Sequence, residues 1–145
     1  RENGEIVAGI QAHKALWVIS HLPGKLGNFI VKWAPRIPLI RRIINPKRFK
    51  FIALEGVYFQ RDKMDRLFRL IEHAIAEFGV YSALCWFDER SPHYASFRNS
   101  GKMGLLNKFV KDSDTLIMAS FENMPEGQIE LVKNMPTYVS SYDFI

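Results

Sequence analysis

Apolar side chains near the start of the chain follow a pattern typical of extended structure. Residues 5–20 are rich in valine, isoleucine and other strand-forming residues, and the Asn3-Gly4 dipeptide ahead of them is a turn signal. The pattern predicts a strand. A polar interruption at His13 and Lys14 would divide it into the two strands of a hairpin.

Four later apolar runs predict the rest of a sheet. Residues 49–59 combine β-branched and aromatic side chains, and Gly56 within them indicates a bulge or a close backbone approach. Residues 80–87 form a short, almost continuous apolar run, which is typical of a strand buried on both faces beside parallel neighbours. Residues 115–121 and 138–145 predict two more strands.

Helical periodicity separates these strands. Residues 63–78 carry apolar side chains at three- and four-residue steps, and Gly79 suits the position that ends a helix. Residues 92–99 predict a second helix, because Ser91 is a good N-cap and a proline follows it at the first helical position. Residues 126–134 predict a third, shorter helix.

A segment that is both apolar and basic lies between the first two strands, at residues 25–48, and we call it the basic insert. Its apolar residues have helical spacing on each side of Pro35 and Pro38, so we expect two short amphipathic helices with a kink between them. Between Glu5 and Glu55 the chain contains nine basic residues and no acidic one.

The positive charge of the chain is concentrated in its first third. Residues 1–54 carry ten basic and two acidic side chains, and the whole chain has a net charge of +5. Such a block attracts anions, whether phosphate, nucleic acid or an acidic lipid surface. Basic amphipathic helices lie on anionic membranes, so peripheral membrane contact is one interpretation, and a solubilising face is the other. No motif that reads DNA or RNA is present, so we expect no specific nucleic-acid partner.

Composition excludes several classes of protein. The 145 residues match one domain, and 48% hydrophobic with 24% charged residues exclude a disordered chain. No apolar run approaches the ~20 residues of a membrane-spanning helix. One cysteine excludes an internal disulfide and a cysteine-based zinc site, and the four histidines lack metal-ligand spacing. The start at Arg1, without a signal-peptide pattern, predicts a fragment or processed piece of a reduced, cytoplasmic protein.

The order of the elements predicts a single domain over residues 1–145 in the α/β class, of the α+β type. We expect a mixed, mostly antiparallel central sheet flanked by helices, with the basic insert before the central strand. Five segments also carry a family resemblance: ENGEIVAGI, FIALEGVYFQ, KMDRLFRLIEHAIAEFG, VYSALCWFDERSP and PHYASFRNSGKMGLLNKF. In this order they resemble the GCN5-related N-acetyltransferase (GNAT) superfamily, and especially the C-terminal half of its tandem or larger members. The family's first strand and helices are missing and would lie upstream.

The resemblance implies that acetyl-CoA or another acyl-CoA binds at the end of the central strand. In the family, N–H groups at the start of the next helix hold the pyrophosphate, and the turn is marked by Arg/Gln-x-x-Gly-x-Gly/Ala. Here Gln60 or Arg61 matches the first position, and the glycines are absent. Asp62 and Asp65 stand in the turn, where their alternative role is to cap the helix. The implied cofactor-binding residues are Val57, Phe59, Gln60, Arg61, Lys63 and Met64.

The same resemblance implies an amine substrate and two proton-transfer residues. Glu55, an acid in an apolar strand, stands where several members keep a general base that acts through water. Its alternative role is a strand residue that faces solvent or pairs with a nearby base. Tyr94 is the closest candidate for the general acid, although it is out of register with the family's tyrosine, and Asp88 replaces a family asparagine. Cys85 is expected to be a buried core thiol.

Two interpretations of the function remain open beside anionic membrane-surface binding through the basic insert. The first is an acyl-CoA-dependent N-acetyltransferase, or the acetyltransferase-like part of a larger acyltransferase. The second is a non-catalytic module that closes the substrate cleft of an upstream catalytic domain or completes a homodimer. The missing glycines favour the second, and the edge of a sheet without its first strand would need such a neighbour to cover it. The residues alone leave open whether the chain is an enzyme.

Overall fold

A computed structural model describes residues 1–22, 24–102 and 120–137. The chain divides into two compact units, with the boundary between Trp86 and Phe87. The prediction of a single domain over the whole chain stays a prediction. The predicted strand at 138–145 and most of the predicted strand at 115–121 lie outside the described residues.

Within the described residues, the first unit is built on a mixed three-stranded sheet, as the α+β prediction requires. Strand β1 (Ala8–Trp17) runs antiparallel to β2 (Phe49–Phe59), and β3 (Ala83–Cys85) runs parallel to β2 on its other side. The central position of β2 follows from its sequence, because its apolar and aromatic side chains suit burial on both faces. Four consecutive residues of β2, from Phe51 to Leu54, are buried.

The first strand is continuous, so the predicted hairpin break was wrong. His13 pairs with Ala53 and Lys14 pairs with Ile52, within one ladder that extends from Ala8 to Trp17. The polar pair is tolerated there because His13 is only half-buried and Lys14 is exposed. The turn signal ahead of the strand is confirmed.

The Asn3-Gly4 turn has positive φ angles of 50° and 87° at its two central residues. It joins Glu2 and Glu5 through two backbone hydrogen bonds of 3.0 and 2.9 Å. Positive φ at both positions is the geometry in which asparagine followed by glycine is favoured.

The predicted irregularity at Gly56 is a β-bulge. Gln11 pairs with Glu55, but Gly9 pairs with Tyr58, so two residues of β2 oppose one residue of β1. Gly56 has a φ of +54°, a left-handed conformation that other residues adopt at a cost. The bulge therefore favours glycine here, and it re-aims the side chains of the last part of β2.

An aromatic cluster covers one face of the sheet. Trp17 contacts Phe51 edge-on, with ring centroids 4.7 Å apart, and Phe49 stacks on Phe51 at 5.7 Å. Ala15, Ala53 and Leu84 complete this cluster. Ile52 and Leu54 point to the opposite face by the two-residue period of a strand.

Helix α3 (Met64–Phe78) lies against β1 and β2 and buries Leu67 and Ile71. Because the aromatic cluster occupies one face, we place α3 on the face of Ile52 and Leu54. The helix ends as predicted at Gly79, which has a φ of 62°. The N–H of Gly79 bonds to the Ala76 carbonyl, and the next N–H bonds to the Ile75 carbonyl, which is a Schellman ending.

The third strand is shorter and less buried than its sequence predicts. Its pairing with β2 is parallel, as expected, but only Ala83–Cys85 belong to the ladder, and Ala83 is exposed. Burial on both faces was therefore a wrong prediction for this strand. In the preceding residues, Val80 and Ser82 are buried instead.

The basic insert forms the two predicted helices. Helix α1 (Gly24–Trp33) is followed by a 3-10 turn at Ala34–Arg36 and by α2 (Pro38–Ile43), and a second 3-10 turn at Pro46–Arg48 leads into β2. Prolines mark the breaks because they cannot donate a helical hydrogen bond. Pro46 is fully buried, and its carbonyl accepts a 2.7 Å hydrogen bond from the Ile19 N–H.

The second unit contains two described helices at the predicted positions. Helix α4 (Pro92–Asn99) begins at Ser91, whose Oγ accepts a hydrogen bond of 3.3 Å from the His93 N–H. Helix α5 (Glu126–Asn134) is the short predicted helix. Phe97 of α4 is buried, and its ring lies 5.0 Å from that of Phe87.

Candidate functional site

The parallel strands β2 and β3 part in the middle of the sheet. Their ladder ends at the pair Leu54 and Cys85, while β2 continues for five more residues to Phe59. Along these residues β1 is the only neighbouring strand within the described part of the chain. We call residues Glu55 to Gln60, which follow the ladder between β2 and β3, together with the first turn of α3, the wedge. It contains the bulge at Gly56.

Glu55 lies at the point where the strands separate. It is half-buried, follows the last residue of β2 that pairs with β3, and is opposed by Gln11 on β1. Its carboxylate also acts on Cys85: burial, and then the negative charge of Glu55, raise the pKa of that thiol to about 12. Cys85 therefore stays protonated at neutral pH and is unsuited to act as a nucleophile. Of these two side chains, Glu55 is therefore the one suited to proton transfer at the wedge.

A tight turn within the wedge connects β2 to α3. The Lys63 N–H donates a 3.0 Å hydrogen bond to the Gln60 carbonyl, and Asp62 has a φ of 67°. Asp62 thus occupies the left-handed position for which glycine is the usual residue. When the family motif is counted from Gln60, its first glycine falls at position 63, one residue after Asp62. The motif therefore did not predict a left-handed residue at Asp62.

The first turn of α3 leaves backbone donors open. Lys63 is the N-cap residue and supplies no side-chain cap, and the N–H groups of Met64 and Asp65 have no acceptor among the described residues. The alternative role of Asp62 and Asp65 as side-chain caps was therefore wrong. Asp65 instead lies in the first turn, 3.7 Å from Arg66, where a negative charge complements the helix dipole.

An ion pair with Glu2 engages the cations next to these donors. The Glu2 carboxylate lies 2.8 Å from Lys63 Nζ and 2.5 Å from Arg66 Nε. The hydrogen bond from Lys63, followed by the charges of Arg66 and Lys63, lowers the pKa of Glu2. A carboxylate therefore already sits where the resemblance places phosphate contacts. Sequence reasoning missed it, although the Asn3-Gly4 turn was a signal that the chain reverses just after Glu2.

The other predicted cofactor-binding residues divide between anchored and open positions. Gln60 is anchored, because its N–H donates to the Val7 carbonyl at 2.9 Å and its Nε2 donates to the Ile6 carbonyl at 3.3 Å. Arg61 is exposed at the tip of the turn. The remaining two strand residues of the prediction, Val57 and Phe59, follow the bulge and are half-buried, as is Met64 at the start of α3.

Tyr94, the candidate general acid, belongs to the second unit, whereas Glu55 belongs to the first. Its hydroxyl accepts a 3.0 Å hydrogen bond from Arg98 Nη1, and the Arg98 guanidinium carbon lies 5.8 Å from the centre of its ring. The pairing of Tyr94 with Glu55 in one site stays a prediction.

Asp88 has a structural position in the second unit. Its side chain is only 8% exposed, and its two oxygens accept four hydrogen bonds, three from Arg90 and one of 2.8 Å from the Thr137 N–H. These bonds, those of Arg90 first, hold its pKa well below the usual range. Arg90 also donates to the Lys133 carbonyl at 2.6 Å, which ties residues 88–90 to the end of α5. With its lone pairs occupied, Asp88 is a clamp and not a proton-transfer group.

Within residues 1–22, 24–102 and 120–137, no three histidine, cysteine or acidic side chains are grouped so that they could hold a metal ion. No helix in the same ranges combines the length and the hydropathy needed to cross a membrane. Comparison with family models, with curated proteins and with solved structures finds no match for this chain.

Proposed function

We propose that the chain is an acetyltransferase-like domain that binds acyl-CoA at the wedge and transfers the acyl group to an amine in the cytoplasm. The supporting observation is the parting of β2 and β3 beside Glu55, directly before the uncapped start of a fifteen-residue helix. Parallel strands that separate form a cleft that can receive a ligand arm, and open N–H groups at a helix start attract a pyrophosphate.

The residues of the wedge fit such a ligand in part. The open N–H groups of Met64 and Asp65 and the exposed guanidinium of Arg61 are suitable phosphate partners. The bulge at Gly56 frees that part of β2 from regular pairing. The carboxylate of Glu2 opposes binding, because it neutralises Lys63 and Arg66. A phosphate would have to displace it or bind beside it.

In this proposal, acyl-CoA supplies a thioester whose carbonyl carbon the amine attacks. Glu55 accepts the proton that the amine loses, through a water molecule, since a half-buried carboxylate at the mouth of the wedge is suited to general-base work. Tyr94 is the proposed donor of the proton that leaves with the CoA thiol. The products are an amide and free CoA, so the protons balance without a further reactant.

A second candidate function is a non-catalytic partner module. The specific observation in its favour is the Glu2 ion pair, which already occupies Lys63 and Arg66, combined with an Asp at the left-handed position of the turn. Such a domain would complete the substrate cleft of an upstream catalytic domain or of a second copy of the chain. It would retain the wedge as a structural feature and would not bind acyl-CoA.

Isothermal titration with acetyl-CoA at near-physiological salt tests the first proposal against the second. The wild type is compared with Arg61→Glu, which reverses a charge at the tip of the turn. Lys14→Glu is the matched control: Lys14 is exposed and pairs with Ile52, eight residues before Gln60 along β2, or roughly 26 Å away.

Micromolar binding that Arg61→Glu abolishes and Lys14→Glu retains supports the acyl-CoA site. A panel of amine acceptors, followed by release of free thiol, then tests turnover, and Glu55→Gln is expected to keep binding while losing turnover. Absence of binding up to millimolar acetyl-CoA rejects the enzyme and leaves the partner module. Turnover that Glu55→Gln does not affect rejects Glu55 as the base.

A further inference from the structure

The basic insert exposes an unusual number of large apolar side chains. Leu39 is 74% exposed, Phe29 51% and Trp33 47%. All of them lie on α1, α2 or the turn between these helices, within fifteen residues of one another. Scattered exposed apolar residues need no explanation, but a group of this size on adjacent short helices indicates a contact surface. The full set is Phe29, Trp33, Ile37, Leu39, Ile40 and Ile43.

Positive charge surrounds this apolar group. The basic insert contains seven lysine and arginine residues, all of them exposed, and no acidic residue. In the part of the chain that the structure describes, none of the seven forms an ion pair with a carboxylate. Arg36 illustrates the arrangement: its guanidinium carbon lies 5.5 Å from the centre of the Trp33 ring.

A groove beside α2 concentrates three of these cations together with Lys50 of β2. It has a volume of about 570 Å³, and its lining includes Arg41, Arg42, Arg48 and Lys50, with no acidic side chain among its described lining residues. The C-terminal end of α3 also lines the groove, and its dipole attracts cations. The attraction of the α3 dipole acts only within the last turn of α3. It does not account for the apolar side chains that α2 exposes next to these cations. The groove and the apolar group therefore belong to one surface.

We propose that this surface, formed by α1, α2 and the groove, docks the protein on an anionic phospholipid bilayer. A bilayer satisfies both parts of the surface, because apolar side chains enter the acyl boundary while cations remain at the level of the headgroup phosphates. Trp33 is suited to the interface, where amphipathic rings concentrate. A nucleic acid would engage the cations but leave Leu39, Ile40 and Ile43 in water. The proposal is independent of acyl-CoA binding.

Flotation with vesicles tests the proposal on the whole 145-residue chain. Vesicles of phosphatidylcholine alone are compared with vesicles containing about one-third phosphatidylglycerol, from about 0.05 to about 0.5 M sodium chloride. We expect binding to the anionic vesicles only, and we expect it to weaken as salt rises. Emission of Trp33 should shift to the blue on binding, and this part of the shift should disappear in Trp33→Phe.

Two variants separate the contributions of charge and apolar contact. Arg41→Gln/Arg42→Gln should lower the partition constant by about twentyfold, since each cation near an anionic surface contributes about fivefold. Leu39→Ser should lower it several-fold at all salt concentrations. Their controls are Arg69→Gln/Lys14→Gln, two exposed cations outside the insert, and Leu131→Ser, a 62% exposed leucine on α5. If the arginine pair perturbs folding in circular dichroism, Lys25→Gln/Lys32→Gln replaces it.

Several outcomes would overturn the proposal. They are equal partition into neutral and anionic vesicles, no binding to either, or the same loss in the control variants. Competition assays with inorganic phosphate and with a duplex oligonucleotide separate the other anions. Oligonucleotide binding that depends on Arg41 and Arg42 but not on Leu39, in the absence of vesicle binding, would assign the surface to nucleic acid instead.

Discussion

Replacing Asp88 by asparagine tests whether this residue is the clamp of the second unit. Asparagine keeps one oxygen in place, so the two bonds from the Arg90 backbone N–H and Nε to Oδ1 can persist. The other oxygen becomes an NH₂ group, which faces two donors, Arg90 Nη2 and the Thr137 N–H, each 2.8 Å away. The substitution therefore turns two hydrogen bonds into donor–donor conflicts without changing the size of the side chain.

The magnitude follows from these two bonds. A hydrogen bond to a charged group contributes about 1.5–3 kcal/mol. The bond from Thr137 to a side chain that is 8% exposed counts near the middle of that range, whereas the bond from Arg90, which is 46% exposed, is screened by solvent and adds little. A loss of about 2–3 kcal/mol in local stability corresponds to roughly 30- to 150-fold faster opening of the contact between residues 88–90 and Thr137.

Hydrogen exchange of the Thr137 amide, followed by NMR, measures this opening directly. We expect faster exchange in Asp88→Asn and unchanged exchange in Glu130→Gln, which removes only an exposed ion pair with Lys133. The wild-type contribution should be present above the ordinary aspartate pKa of about 3.9 and should be lost only as pH falls through the lowered pKa of the folded state. Asp88→Asn should lack this acid-dependent loss. Equal Thr137 exchange in the wild type and Asp88→Asn would refute the clamp.

Three further predictions concern the first unit. Glu2→Gln should release Lys63 and Arg66 from their ion pairs and strengthen acetyl-CoA binding about threefold to tenfold. Titration calorimetry measures the change, with Glu5→Gln as the control. Weaker binding by Glu2→Gln would contradict the competition between Glu2 and the phosphates. Phe51→Ala should cost about 3–5 kcal/mol in urea unfolding, because the side chain is 1% exposed between two aromatic rings, whereas an exposed control such as Tyr58→Ala should cost much less. Alkylation of Cys85 at pH 8 should be about a thousandfold slower in the native protein than in urea, because the pKa of the native thiol is raised to about 12. Glu55→Gln should accelerate the native reaction, since it removes a negative charge that raises this pKa. A native rate equal to that in urea would show that the thiol is neither buried nor affected by Glu55.

The elements that depend on neighbouring residues could be predicted from the sequence. The periodicity of α3 and the glycine after it determine where that helix lies and how it ends, because both the apolar stripe and the left-handed position are local. The same holds for the Ser91 cap of α4 and for the prolines that divide the basic insert. Gly56 marked the bulge because an unfavourable φ selects glycine whatever the partner strand.

Long-range pairing decided the rest. His13 and Lys14 looked like a break, yet β2 pairs with them without interruption, and the length of β3 depends on where it parts from β2. The contacts that define the candidate site join residues far apart in the chain, such as Glu2 with Lys63 and Arg66, and those of the clamp join Asp88 with Thr137. Sequence patterns report the preferences of neighbouring residues, whereas an ion pair or a strand edge exists only when tertiary packing brings its two sides together. The chemistry of the wedge, with its open N–H groups beside a carboxylate, was therefore determined by the tertiary structure.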